Sequence, residues 1–96
     1  MKDFKKLLIW QLGMDIVDKV YDLVPMLPQE EKYGLRSQTA RCAVSIPSNI
    51  AEGSTKRSVR EYVIYIETSL GSAFELETHT LTVQRRKWID EKLVIE

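Results

Sequence analysis

From residue 4 to residue 24 the apolar side chains recur at helical intervals in two neighbouring rows. Trp10, Met14, Val17, Tyr21 and Val24 step by four and three, and Leu8, Leu12, Ile16, Val20 and Leu23 form the row beside them. So wide an apolar face calls for cover on two sides. Pro25 and Pro28 bracket Met26 and Leu27. Because proline disfavours helical geometry in the residue before it, the pattern predicts a first helix over about 4–24.

A second helix is predicted over about 30–53, with Glu30 and Glu31 near the positive end of its dipole. Leu35, Thr39, Cys42, Ala43, Ile46 and Ile50 share one side of it, and Ala40, Val44, Pro47 and Ala51 another. Gln38, Arg41, Ser45, Asn49 and Glu52 form the remaining polar arc. Pro47 removes a hydrogen bond to Ala43 and is expected to kink the helix or split it. Gly53 suits a left-handed cap. Ser58 followed by Glu61 has capping-box spacing and starts a third helix over about 58–86. Its seam is Val59, Tyr62, Ile66, Ser69, Ala73, Leu76, Thr80 and Val83, in three-four alternation. The start of a fourth helix is expected from about residue 90, with most of that helix missing from the chain. These elements predict an all-α fold: one domain, residues 1–96, built as an antiparallel up-down helix bundle of the four-helix type.

Composition narrows the function. The chain has 96 residues, with 14 Lys and Arg balanced by 14 Asp and Glu. A bulk cationic field of the kind that holds proteins on nucleic acid or anionic lipid is therefore absent, and any such binding must be local. A single cysteine, Cys42, excludes an intrachain disulfide and a cysteine-clustered metal site, in keeping with a reducing interior. Gln11 and Asp15 interrupt the N-terminal apolar run too early for a signal peptide, and no segment is apolar for long enough to span a membrane. The expectation is a cytoplasmic chain with no membrane partner.

The chemistry-bearing residues are few. His79 is the one histidine, with no nucleophile and orienting group placed beside it by sequence, and it reads as a partly exposed helix residue. Glu75 and His79 are four apart and can reach one metal, but the repeated Glu-x-x-His spacing of di-iron bundles is absent. Cys42 reads as a small core residue. No catalytic residue, cofactor or metal is expected. The polar arc of Gln38, Arg41, Ser45, Asn49 and Glu52 reads in two ways. In the first, Arg41 and Glu52 pair with the third helix while Ser45 and Asn49 satisfy carbonyls freed by Pro47. In the second, the arc lines a partner surface. Lys56, Arg57 and Arg60 cluster where the second helix ends and the third begins, a place that attracts anions. The plainer reading of this cluster is an ordinary solvated loop with Glu61 at the cap amides; with Lys5 and Lys6, or with Arg85, Arg86 and Lys87, it would form a cationic rim if repeated around an oligomer.

Tyr33, Gly34, Leu35, Gln38, Arg41 and the string at 43–53, Ala-Val-Ser-Ile-Pro-Ser-Asn-Ile-Ala-Glu-Gly, resemble the proteins encoded in intervening sequences of bacterial 23S ribosomal RNA genes, the S23 family. Phe4, Leu7 and Trp10, Ser58 with Glu61 and Tyr62, and Gly71, Ser72, Glu75, Leu76 and Glu77 extend the resemblance over nearly the whole chain. It implies an antiparallel four-helix bundle that assembles into a homopentamer, without an agreed biochemical activity. It also brings in a relative, the accessory variability protein of diversity-generating retroelements, a basic pentamer that works with a reverse transcriptase and nucleic acid. The chain's zero net charge departs from that relative. Together these features point to a non-enzymatic oligomeric protein with Trp10, Tyr21, Tyr62 and Tyr65 as core or interface aromatics. The alternative is a nucleic-acid-binding accessory acting through Lys56, Arg57 and Arg60.

Overall fold

A computed structural model describes residues 3–89. Three α-helices carry the fold: α1 (Leu8–Leu23), α2 (Leu35–Gly53) and α3 (Val59–Arg85). Single 3-10 turns lie at Phe4–Lys6, Val24–Met26 and Gln29–Glu31, and the described residues include no strand. The element expected from residue 90 lies outside them.

The first helix starts later than its apolar rows suggest. Asp3 Oδ1 accepts from the amide of Lys5, the chain makes one tight turn, and Leu7 is extended before α1 begins. Phe4 and Trp10 then meet in a T-shaped contact, with ring centroids 5.4 Å apart. Pro25 ends α1 as expected, and the turn that follows exposes carbonyls with no helical partner. Arg36 supplies one: its guanidinium donates to the carbonyls of Leu27 and Pro25.

The second helix also begins late, because residues 29–31 form a separate turn and Gly34 has no side chain with which to cap. The Glu31 carboxylate takes that role from outside, accepting from the amide of Leu35 at 3.3 Å. Pro47 does not divide α2, which runs unbroken from Leu35 to Gly53. Gly53 is not a left-handed cap either; no glycine in the described chain has a positive φ. Its role is close approach. A Cβ built at Gly53 would lie 2.8 Å from Cβ of Tyr65 and 3.3 Å from the ring of Tyr62, so the bare backbone lets α2 and α3 meet.

Half of the capping box forms at α3: the Ser58 hydroxyl accepts from the amide of Glu61 at 3.1 Å, while the amide of Ser58 does not donate in return to the Glu61 carboxylate. At the far end Lys87 takes the left-handed conformation, φ 57°. The amide of Lys87 bonds to Gln84 and that of Trp88 to Val83, closing the helix with a Schellman motif.

α2 lies in the middle. It packs on α1 and on α3, whereas no Cα of α1 comes within 8 Å of one in α3. Thr39 with His79, Ser45 with Ser72, Ile46 with Ser69 and Gly53 with Tyr65 show that α2 and α3 run in opposite directions. The core joins Val20 of α1, Cys42, Ala43, Ile46 and Ile50 of α2, and Leu76 of α3. Gly13 admits α1 to α2, since a Cβ there would stand 3.3 Å from Cβ of Pro47.

This arrangement covers only part of the apolar surface. Val20 of the two-row face is buried, but Leu8, Ile9 and Leu12 stay exposed. The expected seam of α3 is turned inward, with Ser69, Leu76 and Val83 buried, although Val59 at its start is 78% exposed. α3 also has a second apolar line that the seam concealed. Val63, Leu70, Phe74 and Leu81, spaced by seven, four and seven, all face outward.

Candidate functional site

The groups richest in chemistry lie along the contact between α2 and α3, where short polar residues bond across the two helices and to neighbours on their own helix. Near the Gly53 end, buried Ser69 donates its hydroxyl to the carbonyl of Ile46 at 2.9 Å. One turn on, the Ser45 and Ser72 hydroxyls bond at 2.8 Å, and Asn49 Nδ2 donates to the Ser45 carbonyl and hydroxyl at 2.8 and 2.9 Å. Cys42 then donates its thiol to the carbonyl of Ser72 at 3.0 Å. Last, Thr39 Oγ1 lies 3.0 Å from Nδ1 of His79, whose Nε2 is 3.4 Å from the Glu75 carboxylate.

These bonds sort the polar arc. Ser45 and Asn49 join the seam, though not as expected: the carbonyl that loses its donor at Pro47 belongs to Ala43, whereas Asn49 reaches Ser45, four residues before itself. Arg41 and Glu52 do not pair with α3. Their side chains, like that of Gln38, are exposed and make no hydrogen bond or ion pair among the described residues, because at these positions α2 turns away from α3. Arg41 instead lines a shallow groove beside Tyr21 and Val44.

His79 is the main departure from the sequence reading. It is 8% exposed rather than surface-lying, because α3 turns it onto Thr39. Cys42, a core residue as expected, is its neighbour. The ligand atoms of Cys42, Glu75 and His79 all lie within 4.8 Å of one another. Burial pushes the Cys42 thiol up from its ordinary value of 9.0, and the negative charge of Glu75 adds to the rise. The four-residue spacing of Glu75 and His79 was one visible signal of this cluster. The other was the three-residue spacing of Thr39 and Cys42, which puts both on the side of α2 that meets α3.

The basic residues are less concentrated than their spacing suggests. Lys56 is half-buried, with Nζ 5.0 Å from the centre of the Tyr65 ring, whereas Arg57 and Arg60 are exposed. Gly13 packs on Pro47, so the chain ahead of it, with Lys5 and Lys6, runs toward the same end of α2 as Lys56. Arg85, Arg86 and Lys87 lie at the other end of α3, about 40 Å away at 1.5 Å per helical residue, and cannot join the same rim on one chain. Among the described residues no helix is long and apolar enough to cross a membrane.

The seam coincides with the most distinctive string of the sequence. A family model for the 23S rRNA-intervening sequence protein matches residues 5–96. The chain belongs to that family. No protein of curated function matches it. In this member of the 23S rRNA-intervening sequence family, the string at 45–53 serves packing. Ile46, Pro47, Ile50 and Gly53 are buried, Ser45 bonds Ser72 of α3, and Asn49 bonds Ser45 within α2.

Proposed function

We propose that this chain is a non-enzymatic assembly protein whose outward apolar lines are covered by further copies of itself. The observation that carries the reading is the line of Val63, Leu70, Phe74 and Leu81 on α3, with Leu8, Ile9 and Leu12 on α1 as a second uncovered surface. A solitary chain has no reason to keep Phe74 61% exposed and Leu8 68% exposed in lines this regular. In the proposed assembly, α1 and α3 flank α2 as diagonal members of an up-down four-helix bundle, and copies associate through the remaining faces. The homopentamer follows the resemblance of the string at 43–53, and the cytoplasmic setting follows the single cysteine of the sequence. Light scattering tests the proposal: the native particle is expected at five times the 11.1 kDa chain mass. Leu70→Glu combined with Phe74→Glu should reduce it to a single helical chain. A native particle of one chain mass would overturn the assembly.

Arg57 and Arg60 favour a second reading. Both are exposed, both lack an ion pair among the described residues, and Arg57 lies just before α3 while Arg60 lies in its first turn. Repeated around a ring they would form a local anion-binding crown for nucleic acid. Filter binding across salt tests it: a steep loss of affinity with salt, removed by Arg57→Glu with Arg60→Glu, supports the crown. No binding at about 50 mM salt, where phosphate contacts are strong, removes it.

A further inference from the structure

We propose that Cys42, Glu75 and His79 form a mononuclear site for a borderline divalent cation of the zinc type, joining α2 to α3 and leaving one coordination position open. The site goes beyond the assembly reading and does not depend on it.

The donor set is the first argument. A thiolate, an imidazole and a carboxylate together suit zinc, whereas magnesium and calcium take oxygen ligands. The absence of a repeated Glu-x-x-His pattern argues against a paired-iron centre but leaves a single-metal site untouched, since such a site needs only three protein donors.

Geometry is the second. Zinc bonds of about 2.0–2.3 Å place tetrahedral donors roughly 3.3–3.8 Å from one another. The three atoms already lie within 4.8 Å, and Nε2 of His79 is 3.4 Å from Glu75 Oε2. Glu75, whose side chain is 59% exposed, has room to adjust its carboxylate, whereas Cys42 and His79 are buried.

The third is the support behind the histidine. A metal-bound imidazole gives the proton of its other nitrogen to a partner that fixes its orientation. Thr39, 1% exposed, stands 3.0 Å from Nδ1. With that proton directed at Thr39, the Nε2 lone pair would face the Glu75 carboxylate, so that both could bind one cation. On binding, the Cys42 thiol exchanges its bond to the Ser72 carbonyl for the metal and releases its proton to water. The exposed flank of Glu75 provides both an entry path and the open fourth position.

The same atoms also fit a metal-free chain, in which the Thr39 hydroxyl donates to Nδ1 and Nε2–H donates to Glu75. Titration of the reduced, chelator-treated 96-residue protein with Co²⁺ decides between them. The expected result is one equivalent bound per chain, with a thiolate-to-cobalt charge-transfer band in the near ultraviolet, displaced by Zn²⁺. Glu75→Gln, at the surface, should keep the fold and weaken Zn²⁺ binding by at least about tenfold. Cys42→Ser should abolish the band. If that variant does not fold, X-ray absorption of the native cobalt complex must still show one sulfur scatterer among nitrogen and oxygen. No charge-transfer band, a coordination shell without sulfur, or binding indifferent to Glu75→Gln would each overturn the site.

Discussion

Gly53 approaches Tyr65 so closely that a Cβ on the glycine would lie 2.8 Å from Cβ of the tyrosine, nearer than two such atoms can rest. The contact places the C-terminal end of α2 on the first turns of α3. Gly53→Ala is therefore expected to destabilise by about 1–3 kcal/mol through overpacking, despite alanine's better helix propensity. Gly71, in the middle of α3 with nothing within 4 Å of its missing Cβ, is the control: Gly71→Ala should stabilise by about 1 kcal/mol. Urea unfolding of the two variants should move in opposite directions. Equal shifts would show that close approach at Gly53 is not what selects glycine.

Lys87 adopts φ 57° to close α3, a conformation that glycine takes without a Cβ clash. Lys87→Gly should raise stability by about 0.5–1 kcal/mol, read as a higher thermal midpoint. An unchanged or lower midpoint would show that the lysine side chain contributes more than its backbone strain removes.

Asn49 donates to both the carbonyl and the hydroxyl of Ser45, and Ser45 in turn bonds Ser72 of α3. Asn49→Ala should destabilise by about 1 kcal/mol, as should Ser45→Ala. The double variant should lose less than the sum, because both changes cut the same chain of bonds. Strict additivity in a double-mutant cycle would separate the two residues.

The Cys42 thiol is raised above its ordinary value by burial and by Glu75. The folded chain thus holds this proton more tightly than the unfolded chain does. The stability it contributes is complete below the unfolded value near 9.0 and is lost as pH rises through the folded value. Native protein without metal should react slowly with a thiol reagent at about pH 8 and rapidly in denaturant. Cys42→Ala should lose less stability between about pH 8 and pH 10 than the native chain. An alkaline loss of the same size in both would assign it to other groups.

Periodicity and punctuation made three helices legible, together with their order and most of the inward seam of α3. Pro25 marked the end of α1, and Ser58 with Glu61 marked the start of α3, because these signals act within one turn of the chain. The signals that failed depend on a neighbour. Gly53 has the composition of a cap, yet its backbone is helical, and only the position of Tyr65 explains it. Residues 29–34 looked like the beginning of α2, but the capping oxygen comes from Glu31, folded back from a separate turn. Pro47 has the signature of a kink or a split, yet α2 runs unbroken through it, with Pro47 packed on Gly13.

Residue spacing determined by itself which side chains share a helix face, because the rise and turn of a helix are set by the backbone. It therefore placed Glu75 with His79, Thr39 with Cys42, and the apolar rows of α1. Which faces meet was decided only when α2 took the middle place. That choice buried His79 against Thr39, brought Cys42 to Glu75, left Arg41 and Glu52 outside, and turned Phe74 to the surface. Contacts between helices depend on the rotation of each about its axis, and that rotation is settled by the packing of all three together.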